Sequence, residues 1–149
     1  MAIYNLDQFS IFLVEDNSYI RTIVTNLLNQ FRVGKVTTAA DGAEAIEVLK
    51  SQKKGAGSGG FDIVISDLMM TPIDGLLLLR WIRTAKESPN RFLPFVMLSG
   101  AADNEYVTSA RDLGVSEFLA KPFSGQSVYR KILEVIDRPR PFFATTDYF

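Results

Sequence analysis

The chain contains neither cysteine nor histidine. Without cysteine there are no disulfides, thiolate metal ligands or thiol nucleophiles. Without histidine there are no imidazole ligands, no His-based triads and no imidazole acid–base chemistry. Whatever chemistry the protein performs must run on carboxylates, hydroxyls and amines. An excess of one charge is also missing: 16 Lys and Arg face 17 Asp and Glu, so the basic surplus of a nucleic-acid binder is absent. The longest apolar runs, such as Ile11–Val14 and Leu76–Leu79, are far too short to span a bilayer. Met1 to Phe9 lacks the basic start and long apolar stretch of a signal peptide. These absences lead us to expect a cytoplasmic protein with no nucleic-acid and no membrane partner.

What is present fits one globular domain. The 149 residues, 47% of them apolar, can build one proper core but not two. Ile11–Val14 is a short apolar run ending in Glu15-Asp16, the pattern of a buried parallel strand. Ile20, Ile23, Val24, Leu27 and Phe31 then recur at helical spacing, and Gly34 stops the helix. Lys35–Ala39 reads as a weaker strand. Asp41 to Glu44 resembles a capping box opening a helix through about Ser51. Lys53–Gly60 (KKGAGSGG) is loop by composition, and it lacks the ending and position of a phosphate-binding Walker loop. Strands follow at Phe61–Ser66, Pro94–Leu98 and Ser116–Ala120, with helices at Gly75–Glu87, Asp103–Leu113 and from Ser124 onward. Five strand–helix alternations predict an open α/β parallel sheet with helices on both faces. Residues 1–137 form the expected domain, and residues 138–149 a tail beginning at Arg138-Pro139-Arg140-Pro141.

In such sheets ligands bind beyond the carboxyl ends of the strands. Four predicted strands end in Glu15-Asp16, Asp67, Ser99 and Lys121. In the flavodoxin-like order 2-1-3-4-5, the first and third strands are neighbours, and Glu15, Asp16 and Asp67 crowd together. Two carboxylates about 4 Å apart repel by roughly 4 kcal/mol at an effective dielectric near ~20. A hard divalent cation removes that conflict, and oxygen-only ligands favour Mg²⁺. Taken singly, Asp16 reads equally as a helix N-cap, Lys121 as a solvated loop charge, Ser99 as a turn residue and Phe118 as a core aromatic. Their joint placement at successive strand ends carries the functional reading.

Val14-Glu15-Asp16-Asn17, Ser66-Asp67 with Asp74-Gly75 beyond it, Leu98-Ser99-Gly100 and Ala120-Lys121-Pro122-Phe123 together resemble a CheY-like response-regulator receiver of two-component signalling. The likeness covers about Phe9 to Asp137. It implies that Asp67 accepts a phosphoryl group from a phosphohistidine on a sensor histidine kinase or histidine phosphotransfer protein. It implies that Asp16, Asp67 and the Met69 backbone carbonyl bind Mg²⁺ directly, with Glu15 acting through a water. Lys121 and Ser99 would contact the phosphoryl oxygens, Ser99 and Phe118 would form the switch, and the Lys121-Pro122 bond would be cis.

Several residues depart from the family pattern. Glu15 replaces an aspartate, Pro72 lies one position late, and Met69 and Ala101 stand where polar groups often help orient water. The tail carries Phe142, Phe143, Tyr148 and Phe149, which predicts packing on this domain or on a partner. The given residues leave no room for an output domain, so a stand-alone receiver acting on a downstream protein is expected, with homodimer formation left open. Two rivals remain. A Mg²⁺-dependent phosphatase resembling haloacid dehalogenases would need an acid two residues after Asp67, where Met69 stands. A pseudo-receiver serving only as an interaction module would have lost Asp67, Asp16 or Lys121, and all three are present.

Overall fold

The computed structural model describes residues 5–54, 60–100 and 105–137. The elements are β1 (Ser10–Val14), α1 (Ser18–Gln30), β2 (Lys35–Ala39), α2 (Gly42–Lys54), β3 (Ile63–Asp67), α3 (Gly75–Thr84), β4 (Phe95–Ser99), α4 (Val107–Asp112), β5 (Glu117–Ala120) and α5 (Gly125–Asp137). All strand pairs are parallel, in the order β2-β1-β3-β4-β5. The expected flavodoxin-like architecture is therefore observed. Among the described residues no helix is long and apolar enough to cross a membrane.

Alternation along the strands divides the core into two layers. Phe12 and Val14 of β1, Val64 of β3, and Phe95 and Met97 of β4 face one side, where α2, α3 and α4 contribute Ala45, Leu49, Leu78, Leu79, Ile82 and Ala110. Ile11, Leu13, Ile63, Ile65, Val96 and Leu98 face the other, covered by Val24 and Leu28 of α1 and Val128, Ile132 and Val135 of α5. The central strands are apolar on both faces because helices cover both faces. The register aligns their carboxyl ends: Val14 lies opposite Ser66, Asp67 opposite Leu98, and Ser99 opposite Ala120.

Helix ends follow local hydrogen bonding. The N-cap of α1 is Asn17 rather than Asp16: its Oδ1 accepts from the Ile20 amide at 3.0 Å. The Asp41 cap forms at the start of α2, with Glu44 N donating to Asp41 Oδ1 at 2.9 Å, while the Glu44 carboxylate reaches back one residue beyond the expected box and accepts from Ala40 N at 3.0 Å. α3 stops at Thr84, three residues short of the expected Glu87. The Ser88 hydroxyl donates to the Ile82 carbonyl at 2.7 Å and closes that end. α4 begins at Val107 rather than Asp103, which lies outside the described residues.

At the amino end of the sheet Arg83 is fully buried. Its Nη1 donates to the carbonyls of Arg91 at 3.0 Å and Leu93 at 2.7 Å, and its Nη2 to that of Gly114 at 2.8 Å. One side chain of α3 thus ties down the segments that lead into β4 and β5. Burial lowers its pKa to about 10, so it stays charged at neutral pH. A buried carbonyl left without its donor costs roughly 1–3 kcal/mol. Arg83→Ala should therefore lower unfolding stability by about 3 kcal/mol or more. A urea-denaturation loss below about 1 kcal/mol would show that water replaces the guanidinium.

Candidate functional site

The loops after β1, β3 and β5 bring Glu15, Asp16, Asp67 and Lys121 together. Glu15 is held there by the sheet itself, its amide donating to the Ala39 carbonyl at 3.1 Å. Asp67 is the last residue of β3 and is buried. Gly75, the first residue of α3, donates to the Leu68 carbonyl at 2.8 Å. A Cβ on Gly75 would collide with the Asp67 carbonyl oxygen, so glycine permits α3 to start against the end of β3. Asp74 caps that helix, its Oδ1 accepting from Leu77 N at 2.8 Å. The paired Asp74-Gly75 of the sequence therefore positions the backbone around Asp67.

Lys121 supplies the cation. Its amide donates to the Ser99 carbonyl at 2.8 Å, and the Lys121-Pro122 peptide is cis as expected. The Thr71-Pro72 peptide is also cis, which the sequence reading did not foresee. The Lys121 Nζ lies 2.7 Å from Asp67 Oδ1 and 3.9 Å from Glu15 Oε2. One ammonium thus faces two buried carboxylates, and Asp16 stands exposed beside them.

Glu15 is only 1% exposed. Its Oε1 accepts from the Asn17 amide at 3.1 Å, while its Oε2 is buried with no hydrogen-bond donor. Burial pushes its pKa up to about 7, against the opposing pull of the Asn17 amide; the Asp67 charge adds to the rise. Ligand oxygens of Glu15, Asp16 and Asp67 lie within 4.8 Å of one another. An orphaned buried oxygen among three close carboxylates fits a hard cation with oxygen ligands, and Mg²⁺ in particular because few protein ligands suffice for it.

The family described as the response regulator receiver domain matches residues 11–133. The chain belongs to the response-regulator receiver family. This receiver is 32% identical over 128 residues to chemotaxis protein CheY-3 of Vibrio cholerae, covering 86% of this chain and 92% of that protein. It is 30% identical to CheY of Pseudomonas aeruginosa, covering 86% of this chain and 96% of that one. Among solved structures it is similar to the receiver domain of a Pseudomonas aeruginosa sensor histidine kinase. The TM-score is 0.72 at 28% identity, with 87% of this chain and 98% of that one covered. That crystal structure has a magnesium ion coordinated in its active-site cleft.

Ser99 ends β4, half-buried, next to Lys121 in the backbone ladder. Phe118 lies in β5 opposite Met97, and its half-buried ring packs against the α2–α4 layer of the core. The Met69 side chain is 51% exposed. Ala101 lies outside the described residues. Arg21 was missed by the sequence reading: its Nη1 donates to the Glu15 backbone carbonyl at 2.7 Å and braces the acidic loop from α1. The available signal was a cation one helical turn beyond the Asn17 cap.

Glu15 makes stability depend on pH. Its folded pKa lies above the unfolded value, so the folded state binds more protons in the interval between them. Without metal, unfolding stability should fall as pH rises from about 4.5 to about 7 and flatten above that range. The total loss should be up to a few kcal/mol, and Glu15→Gln should remove most of this slope. Urea midpoints across the interval, with wild type and variant falling in parallel, would show that another group carries the effect.

Proposed function

We propose that this receiver takes a phosphoryl group on Asp67 from a phosphohistidine on a sensor histidine kinase or histidine phosphotransfer protein, and that the phosphorylated form changes a protein-binding surface. The observation that carries this reading is the Asp67 carboxylate at a strand end, 2.7 Å from the Lys121 ammonium and clustered with Glu15 and Asp16. One Asp67 oxygen attacks phosphorus in line with the phosphohistidine nitrogen. The O–P bond forms, the N–P bond breaks, and the imidazole leaves with its electron pair and takes a proton from solvent. The reaction needs positioning and charge neutralisation and no general base.

In this reading Asp16, Asp67 and the Met69 carbonyl would hold Mg²⁺ directly, with Glu15 acting through a water. The ion supplies neutralising charge for the acidic cluster and the phosphoryl oxygens. Lys121 pairs with one phosphoryl oxygen, and the Ser99 hydroxyl donates to another. Ser99 moves toward the phosphoryl group, and the Phe118 ring turns further into the space beneath it. Lacking a hydroxyl, that ring needs no polar partner when buried. The surface built from α4, β5 and α5 then changes for a downstream protein. Residues 1–137 are the switching unit in this scheme, and residues 138–149 the tail that follows it. Met69, two residues beyond Asp67, offers no acid–base group, which favours a self-modifying switch over an enzyme that turns over other phosphate esters.

Asp67→Asn should take up no label from acetyl phosphate in Mg²⁺, measured by intact-protein mass; full labelling of that variant would place the acceptor elsewhere. The apolar Met69 side chain cannot orient an attacking water, so the phosphorylated form should lose its label slowly. Met69→Asn should accelerate the loss by about tenfold, less than the roughly 10²–10⁴-fold of a true general acid or base because an amide orients water without taking its proton. Phosphoprotein decay followed after removal of the donor gives both rates, and equal rates would sink the argument.

A further inference from the structure

α1 and α5 lie side by side over one face of the sheet, and the seam between them is not closed. The Phe31 and Tyr129 rings meet there at a centroid distance of 4.9 Å, tilted by 57°. Beside them opens a cavity of about 370 Å³ lined by Gln30, Phe31, Arg32, Gly125, Gln126 and Tyr129. A Cβ on Gly125 would stand 3.0 Å from Leu27 Cδ2, so the missing side chain lets the start of α5 come close to α1. The walls are aromatic and the rim is polar. An apolar cavity of about 150 Å³ accepts one benzene ring, so this one has room for a phenyl side chain with its backbone.

An apolar track leads to the cavity from the far end of α5. Ile136, Leu133 and Tyr129 are half-buried and recur at intervals of three and four residues, one turn apart along the helix. The helix ends at Asp137. Beyond it the sequence reads Arg138-Pro139-Arg140-Pro141-Phe142-Phe143, and these residues lie outside the described ones. Two prolines in alternation cannot continue a helix and favour extended backbone. From Asp137 back to Tyr129 is eight residues of helix, or roughly 12 Å. Phe142 and Phe143 are five and six residues past Asp137, an extended reach of roughly 16–20 Å. The chain can therefore turn back along the track and arrive at the cavity with an aromatic residue.

We propose that the Phe142-Phe143 pair of the tail occupies the cavity between α1 and α5 of its own domain. This goes beyond the phosphoryl-transfer reading and does not rest on it. The segment carries four aromatics, Phe142, Phe143, Tyr148 and Phe149, against three charges, Arg138, Arg140 and Asp147, and burying an aromatic ring is among the larger apolar gains available. The tail also covers the last turn of α1, where the amides of Phe31, Arg32 and Val33 donate to Leu27, Asn29 and Leu28. A helix end of this kind frays readily when uncovered.

Two measurements on the full chain test the proposal. A photoreactive benzoylphenylalanine placed at position 142 should cross-link, within one chain, to peptides containing Gln30–Arg32 or Gly125–Tyr129. Cross-links joining two chains would assign the groove to a second copy, and cross-links to any other face would remove it as the docking site; either overturns the proposal. The F142A/F143A variant should exchange the Phe31, Arg32 and Val33 amides about tenfold faster than wild type. Unchanged exchange at those amides would equally overturn it.

Discussion

Two buried carboxylates share a single ammonium at the carboxyl end of the sheet with a third, exposed carboxylate beside them, and the rest of the structure serves to hold that unfavourable arrangement in place. Like charges this close would separate if the backbone allowed it. The backbone does not allow it. Glu15 is hydrogen-bonded to β2 through its amide and braced by Arg21 through its carbonyl. Asp67 is fixed by its place in the β3–β4 ladder and by Gly75 at its back. Apolar layers above and below the sheet supply the stability against which the repulsion is set. The site is thus a charge conflict imposed by packing, and a group that relieves it, whether proton or cation, is bound with the folding energy of the domain behind it.

Much of this was legible in the sequence because parallel strands covered on both sides announce themselves as unbroken apolar runs. Ile11–Val14 and Phe95–Leu98 have no competing reading once turn residues bound them. Lys35–Ala39 was weaker because β2 is an edge strand with exposed and half-buried positions. Helix ends were less legible. Nothing in Thr84–Glu87 forbids another turn; the helix stops where Ala85 takes extended backbone, and the Ser88 hydroxyl reaches back to Ile82. Asp16 and Asn17 are adjacent capping residues, and choosing between them requires knowing which one faces the cleft.

The residues brought together at the site were legible for a different reason. Strand ends in a parallel sheet converge whatever the loop lengths, so Glu15, Asp16, Asp67 and Lys121 meet once the strand order is known. What composition and spacing do not carry is the environment of each group. The orphaned Oε2 of Glu15 and its raised pKa come from the closure of neighbouring elements around it. Arg21 and Arg83 look alike in the sequence as cations on amphipathic helices. Only the fold sends one to brace the acidic loop and the other into the core.

The burial of Arg83 divides the molecule into two ends that answer differently to their surroundings. Its charge persists well above neutrality, and its three carbonyl partners do not titrate. This tie therefore keeps its charge and its partners across the physiological pH range. The carboxyl end, with its shifted glutamate and clustered acids, is sensitive to acidity and to divalent ions. Proton and cation binding at the carboxyl end therefore leaves the tie between α3 and the segments leading into β4 and β5 as it is, and the two ends of one sheet are held by contacts of opposite chemical temper.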